Sequence, residues 1–413
     1  MTMQRKFILF GFGEGLVQLI PVILLPFYLE IFKVDGYGKM NLLAAFFALF
    51  IPLLSLCFNQ VAIKALHAKQ RLEVPIMASF TIILAMGALF AALVFCFSNQ
   101  LGGFFEVDLI LASISIGMLS AWYLIFKDIA IHSGKHLIYI AMVLCQVVAT
   151  HSLVFILFYF VPLLPAWEYR FYGEIISYAI FGSFFCLFWL RKLNLSSQNI
   201  SIVETKEFIS RNLNIAIGTV PRMLLRWYRI VMDRQYLALF IGLSALGQYT
   251  VATQIATMLT FPLMVVAAYF SPAIVLAFRR SDITTPVIFV ASALFLMGST
   301  LLIWNLFSTT LLELYIGSEF NGLSSVISSL YISLFLTLLS GSMLSIFIQS
   351  GVRNKRYDFV LVIFAMVPLS LFLVQPSAIE LIAKLNLSIS VLYFGYTCIE
   401  FIKITTQFIG KKV

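Results

Sequence analysis

A chain of 413 residues that is 62% hydrophobic and only 11% charged, with a mean hydropathy of +1.02, excludes a water-soluble enzyme or binding module. Its net charge of +9 lies between apolar runs rather than in one patch, which excludes a nucleic-acid partner. The runs are about 20 residues long, which suits spanning helices and not the short alternating strands of an outer-membrane barrel.

Twelve spans are predicted, near residues 9–30, 41–63, 75–97, 109–126, 137–160, 171–190, 213–238, 247–270, 286–306, 323–348, 358–374 and 386–408. The first run is too long for a cleavable leader and leads directly into the second. Span one carries Gly11, Gly13, Gly15, Pro21 and Pro26, so it can bend or locally open. Glu14 and Gln18 lie one turn apart on the same face, where a buried carboxyl can take up and release a cation or proton. Its structural alternative is a carboxyl packed or salt-bridged against a neighbouring helix. Span two ends with Asn59, Gln60 and Lys64, placed to meet a ligand entering from the inner leaflet. Gln146, His151, Glu174, Gln254 and Glu400 each read more simply as a helix–helix hydrogen bond.

The longest connection in the middle of the chain, residues 191–212, is polar and basic. It divides the chain into an expected six-span lobe over 1–190 and a second over 213–413. Gly36-Tyr37-Gly38 before Pro52, and Gly247-Gln248-Tyr249 before Pro262, suggest that the halves are distant repeats. The remaining loops leave no room for a catalytic domain, and no nucleotide-binding phosphate loop occurs. No cofactor is expected.

Span seven holds Arg222, Arg226, Arg229 and Arg234 inside one apolar stretch. At about 100° per residue, Arg222, Arg226, Arg229 and Asp233 fall within roughly 60° of each other. Arg222 to Arg234 covers about 18 Å of a hydrocarbon core about 30 Å thick. Each arginine near mid-membrane costs about 2.5 to 3.5 kcal/mol, so lipid cannot face the stripe. Structural pairing with Glu14, Glu174 or Asp233 is one explanation, but carboxylates within the spans are too few to neutralise all four. The spacings of four, three and five do not suit a voltage sensor. An anion path suits them, because the planar guanidinium fork binds phosphate in two-pronged fashion and stays charged when partly desolvated.

With the N-terminus inside, nineteen Lys and Arg fall on cytoplasmic segments, four on outer segments (Lys33, Lys39, Arg170, Lys384) and four in span seven, which together make the 27. This bias predicts that both termini are cytoplasmic. The five cysteines, Cys57, Cys96, Cys145, Cys186 and Cys398, all lie in apolar spans, which makes them packing residues rather than disulfide or metal partners.

Two stretches resemble the Wzx-type O-antigen flippases of the multidrug/oligosaccharidyl-lipid/polysaccharide exporter superfamily. One is Phe10-Gly11-x-Gly13-x-Gly15-x-x-Gln18-x-x-Pro21, with Pro26-x-Tyr28-Leu29 and Gly36-Tyr37-Gly38-x-x-Asn41. The other is Ser55-Leu56-x-x-Asn59-Gln60-x-x-Ile63-Lys64. Gly247-x-Tyr249-x-x-Ala252-x-Gln254 is similar to that superfamily's eighth span. The resemblance implies an all-helical protein of the bacterial inner membrane, with two six-helix lobes around a central cavity. It implies a lipid-linked oligosaccharide cargo, an undecaprenyl-pyrophosphate O-unit, moved from the inner to the outer leaflet. It also implies a coupling ion (H+ or Na+) and, as partners, an O-antigen polymerase and a chain-length regulator. Under this reading Arg222, Arg226, Arg229, Asn59, Gln60 and Lys64 line the substrate path, and Arg234 aids release near the outer face. Glu14, Gln18, Asp233 and Glu174 couple or gate. A cation-coupled multidrug exporter of the same superfamily is the alternative. An O-antigen polymerase fits less well, since it usually needs a large outer loop to assemble a glycosyl-transfer site.

Overall fold

The computed structural model describes residues 13, 15–67, 71–101, 106–192, 201–279, 284–349, 371, 374, 376 and 378–410. Residues 15–23 are helical, and eleven helices follow. They are α1 (Leu25–Ser55), α2 (Phe58–His67), α3 (Glu73–Cys96), α4 (Val107–His132), α5 (His136–Phe160), α6 (Ala166–Lys192), α7 (Ile202–Tyr236), α8 (Leu243–Arg279), α9 (Thr284–Tyr315), α10 (Ser324–Gln349) and α11 (Ile379–Gly410). A four-residue turn (Ser98–Leu101), a π-helical turn (Leu237–Ile241) and a 3-10 turn (Ser318–Leu323) join them. A backbone in lipid must satisfy its own N–H and C=O groups, and among the described residues helices do all of that work.

Nine helices among the described residues are long and apolar enough to cross a membrane. The chain is a multi-pass membrane protein. Three of the twelve expected spans account for the difference. Span eleven and the start of span one fall outside the described residues. Span seven is helical as expected, but its arginines remove it from the apolar class. The helix that carries span seven, α7, begins at Ile202. Ser201 caps it, its side chain accepting the Val203 N–H at 3.2 Å, with Glu204 in the first turn beside the positive end of the helix dipole.

The chain divides into two compact units, one formed by Gly36–Leu239 and the other by Met1–Asp35 with Phe240–Val413. In the Gly36–Leu239 unit α7 packs on α2 and α3: Phe208, Ile209, Leu213 and Ala216 join Phe58, Val61, Ala78 and Ile82 in one apolar cluster. Lipid tails are as apolar as leucine, so such contacts stabilise through dispersion and close approach rather than escape from water.

Within Gly36–Leu239, α1 lies hard against α4. A Cβ added at Gly117 would come within 2.9 Å of Leu54 and Phe50. Two points along this stretch leave helical geometry. Lys33 has φ 59° inside α1, and Leu56 and Cys57 have φ 43° and 57° between α1 and α2. A left-handed conformation at a non-glycine residue costs roughly 1 to 2 kcal/mol, so these breaks are held by their surroundings.

In the other unit, Gly247 touches the Val34 backbone and Gly15 touches the Phe261 ring, which sets the 15–34 segment close against α8. The Tyr315 hydroxyl donates to the Val22 carbonyl. Ser333, Thr337 and Ser390 join α10 to α11, and Asn386 Nδ2 donates to the Tyr249 hydroxyl at 3.0 Å.

Candidate functional site

Polar side chains inside spans are the natural candidates, because each costs free energy in lipid unless it has a partner or a task. The best-connected group lies between α5 and α6. Glu174, only 3% exposed, accepts Arg170 Nε at 2.8 Å and Gln146 Nε2 at 3.2 Å. Gln146 also reaches Thr150 at 3.1 Å, and Thr150 meets Ser177 at 2.6 Å. Ser177 donates back to the Glu174 carbonyl at 3.0 Å. His151 is buried on α5, and Tyr178 stacks edge-on with Tyr123 of α4 at 5.5 Å. The helical spacing makes this possible: Gln146 and Thr150 are four apart on α5, while Arg170, Glu174, Ser177 and Tyr178 share one face of α6.

Glu174 is thus both an expected gating residue and a helix–helix partner, with its charge matched by Arg170 on its own helix. Sequence reading had assigned Arg170 to an outer loop. The i, i+4 spacing of Arg170 and Glu174 was the available signal, and α6 starts at Ala166, five residues earlier than expected.

Asn59, Gln60 and Lys64 differ in burial. All three lie on α2, but Gln60 and Lys64 are exposed while Asn59 is buried. Asn59 Nδ2 donates to Asp128 Oδ2 of α4 at 2.8 Å. Asp128 is a residue that sequence reading missed, because span four was expected to end at residue 126 and α4 continues to His132.

Arg222, Arg226 and Arg229 lie in α7, so their backbone register keeps them on one helical face; their side chains are outside the described residues. Asp233, 8% exposed, accepts the Arg234 backbone N–H at 2.8 Å. Arg234 Nε is buried without a hydrogen-bond partner among the described residues. Glu14 falls outside the described residues. Gln18 and Gln254 have buried amide oxygens with no hydrogen-bond partner among the described residues. Glu400, 5% exposed, pairs with Lys403 at 3.2 Å. No three His, Cys, Asp or Glu converge as a metal site among the described residues.

Solved structures resemble this arrangement over nearly its full length. An inward-facing multidrug resistance MATE family transporter of the MOP superfamily matches 98% of this chain and 96% of its own, at 13% identity and a TM-score of 0.65. The fold is MATE-like. The D35N mutant of the MATE transporter VcmN from Vibrio cholerae matches 98% of the chain and 96% of its own, at 14% identity and TM-score 0.61. A MOP superfamily transporter from Pyrococcus furiosus, with a binding pocket of reverse polarity, matches 97% and 95% at 11% identity and TM-score 0.63. No protein-family model matches the sequence, and no curated protein does. In the MATE-like fold of this chain, both the Glu174 network and the Asn59–Asp128 contact fall within Gly36–Leu239.

Proposed function

We propose that this chain is a membrane transporter, not an enzyme, and that it moves an amphiphilic cargo by alternating access. The MATE-like fold across 98% of the chain carries this reading. The same likeness supports a cation-coupled multidrug exporter better than a flippase of lipid-linked O-antigen units.

The flippase reading keeps one observation of its own. Arg222, Arg226, Arg229 and Arg234 stand on a single helix, where the membrane would exact a high cost unless they met an anion. A pyrophosphate headgroup suits guanidinium forks, and a cationic drug does not. In this reading Arg222, Arg226 and Arg229 guide the headgroup or acidic sugars, Arg234 aids release, and Gln60 and Lys64 receive the cargo from the inner leaflet. Glu14 with Gln18, or Glu174 with Arg170, couples transport to H+ or Na+. The protein then belongs in the bacterial inner membrane with both termini cytoplasmic, beside an O-antigen polymerase and a chain-length regulator.

One set of alleles tests both cargoes. Deletion of the gene is complemented with wild type, Arg226→Ala or the triple Arg222→Ala/Arg226→Ala/Arg229→Ala variant, and surface O-antigen is measured. The same alleles go into a pump-deficient host for drug accumulation. Loss of surface display rescued only by wild type supports the flippase. Normal display with lowered drug accumulation supports the exporter. Short units at the surface without long chains would favour a polymerase and overturn the transporter reading.

A further inference from the structure

The second span breaks at a point where no glycine permits it. Leu56 and Cys57 both adopt left-handed φ values, and the Ser55 hydroxyl accepts the Cys57 N–H at 3.2 Å. Helix resumes at Phe58, with the Gln60 N–H bonded to the Cys57 carbonyl at 3.0 Å. On the two sides of this break lie different packing clusters. Before it, Phe50 and Leu54 pack on Ile110 and Ile114 of α4. After it, Phe58 and Val61 pack on Ala78 and Ile82 of α3 and on Ala216 of α7.

A polar bond crosses from α2 back to α4: Asn59 Nδ2 to Asp128 Oδ2, at 2.8 Å. A carboxylate acceptor makes such a bond roughly twice as strong as one between neutral groups. No salt bridge to Asp128 occurs among the described residues, so its hydrogen-bond partner is an uncharged amide.

We infer that the Asn59–Asp128 hydrogen bond is a latch holding α2, and with it the arginine-bearing α7, against α4, and that its release lets this body move about the Leu56–Cys57 break. The strain at Leu56 and Cys57 persists only while the surroundings enforce it, which is the property a hinge needs. Asn59 is therefore a positioning residue: it acts on the cargo path through α7. The inference rests on the transporter reading for its purpose, but its test needs no cargo.

Cys57 supplies the probe, since it lies inside the break and the residue is 2% exposed. In a chain with Cys96, Cys145, Cys186 and Cys398 replaced by serine, its alkylation by a membrane-permeant maleimide is followed in native vesicles. Asn59→Ala and Asp128→Ala are each expected to speed labelling at least tenfold, with no further gain in the double variant. The exchanged pair Asn59→Asp/Asp128→Asn should return the rate toward that of the parent. In a second series Cys57 is also replaced by serine and Ala216→Cys introduced. Because α2 and α7 move together, this site should stay protected in the Asp128→Ala variant. Single variants that label at the parent rate would overturn the latch, as would accelerations that multiply in the double variant or an exchanged pair that labels as fast as denatured protein. Exposure of the cysteine at position 216 would overturn the joint movement. Transport that fails with the labelling pattern intact would count against the cargo reading and leave the latch standing.

Discussion

Arg170 donates its Nε–H to Glu174 at 2.8 Å from one helical turn away, and the pair forms a neutral unit on α6. Glu174 is almost wholly enclosed, while the Arg170 side chain keeps 24% of its surface exposed. Removing one partner strands the other.

Glu174→Gln is expected to lower stability by about 3 kcal/mol, at the modest end for a broken buried pair because Arg170 is partly solvated. Arg170→Gln should cost more, since among the described residues it leaves the enclosed carboxylate with the Gln146 amide as its side-chain donor. The double variant should recover part of the loss, and thermal unfolding in detergent measures it. Additive losses would mean that the pair is not coupled.

The arginines of α7 call for a graded series. Arg226→Lys should retain part of the transport activity, because charge survives and the two-pronged fork does not. Arg226→Ala should lose most of it. Equal activity of lysine and wild type would show that a point charge suffices, and unchanged activity in the triple alanine variant would make the stripe structural.

Tyr249 is enclosed, and its hydroxyl accepts from Asn386. Tyr249→Phe should cost about 1 kcal/mol, the net value of one hydrogen bond. Tyr249→Ala should cost about 4 kcal/mol, as expected for emptying a buried aromatic site. Chemical or thermal unfolding separates the two. Similar losses would place the energy in the hydroxyl rather than in the ring.

Two glycines should behave in opposite ways. Gly247→Ala would push a methyl group into the Val34 backbone, which cannot rotate away, and should destabilise by about 1 to 3 kcal/mol. Gly298→Ala meets nothing within 4 Å on the interior of α9 and should stabilise by roughly 0.4 to 1 kcal/mol. Parallel melting curves decide this, and matching signs would refute the close approach at Gly247.

The spans were legible because the cost of exposing backbone to lipid forces long apolar runs, and α5 and α10 fall within a residue or two of their expected bounds. Pairings between helices were harder to read. Asp128 follows Lys127 at the end of an apolar run, and in sequence that looks like the start of a loop. Leu56 and Cys57 have no local signature of a left-handed backbone, since glycine or asparagine would be the usual mark. Their conformation comes from the packing on either side. Gly247 was legible as part of a glycine–tyrosine cluster, but the need for a bare α-carbon emerges only from the nearness of Val34.

The division at Asp35/Gly36 and Leu239/Phe240 also bears on biosynthesis. The Gly36–Leu239 unit is uninterrupted in sequence, so all of its helices have been synthesised before Phe240 is added. The segment ending at Asp35 is made first, yet the helices that complete its unit come last, more than 200 residues later. During that interval the Gln18 amide oxygen and Gly15, which meets Phe261 of α8, must wait in the bilayer without their final neighbours. Such long-range closure has to wait for the late helices, and contacts of high sequence separation form slowly.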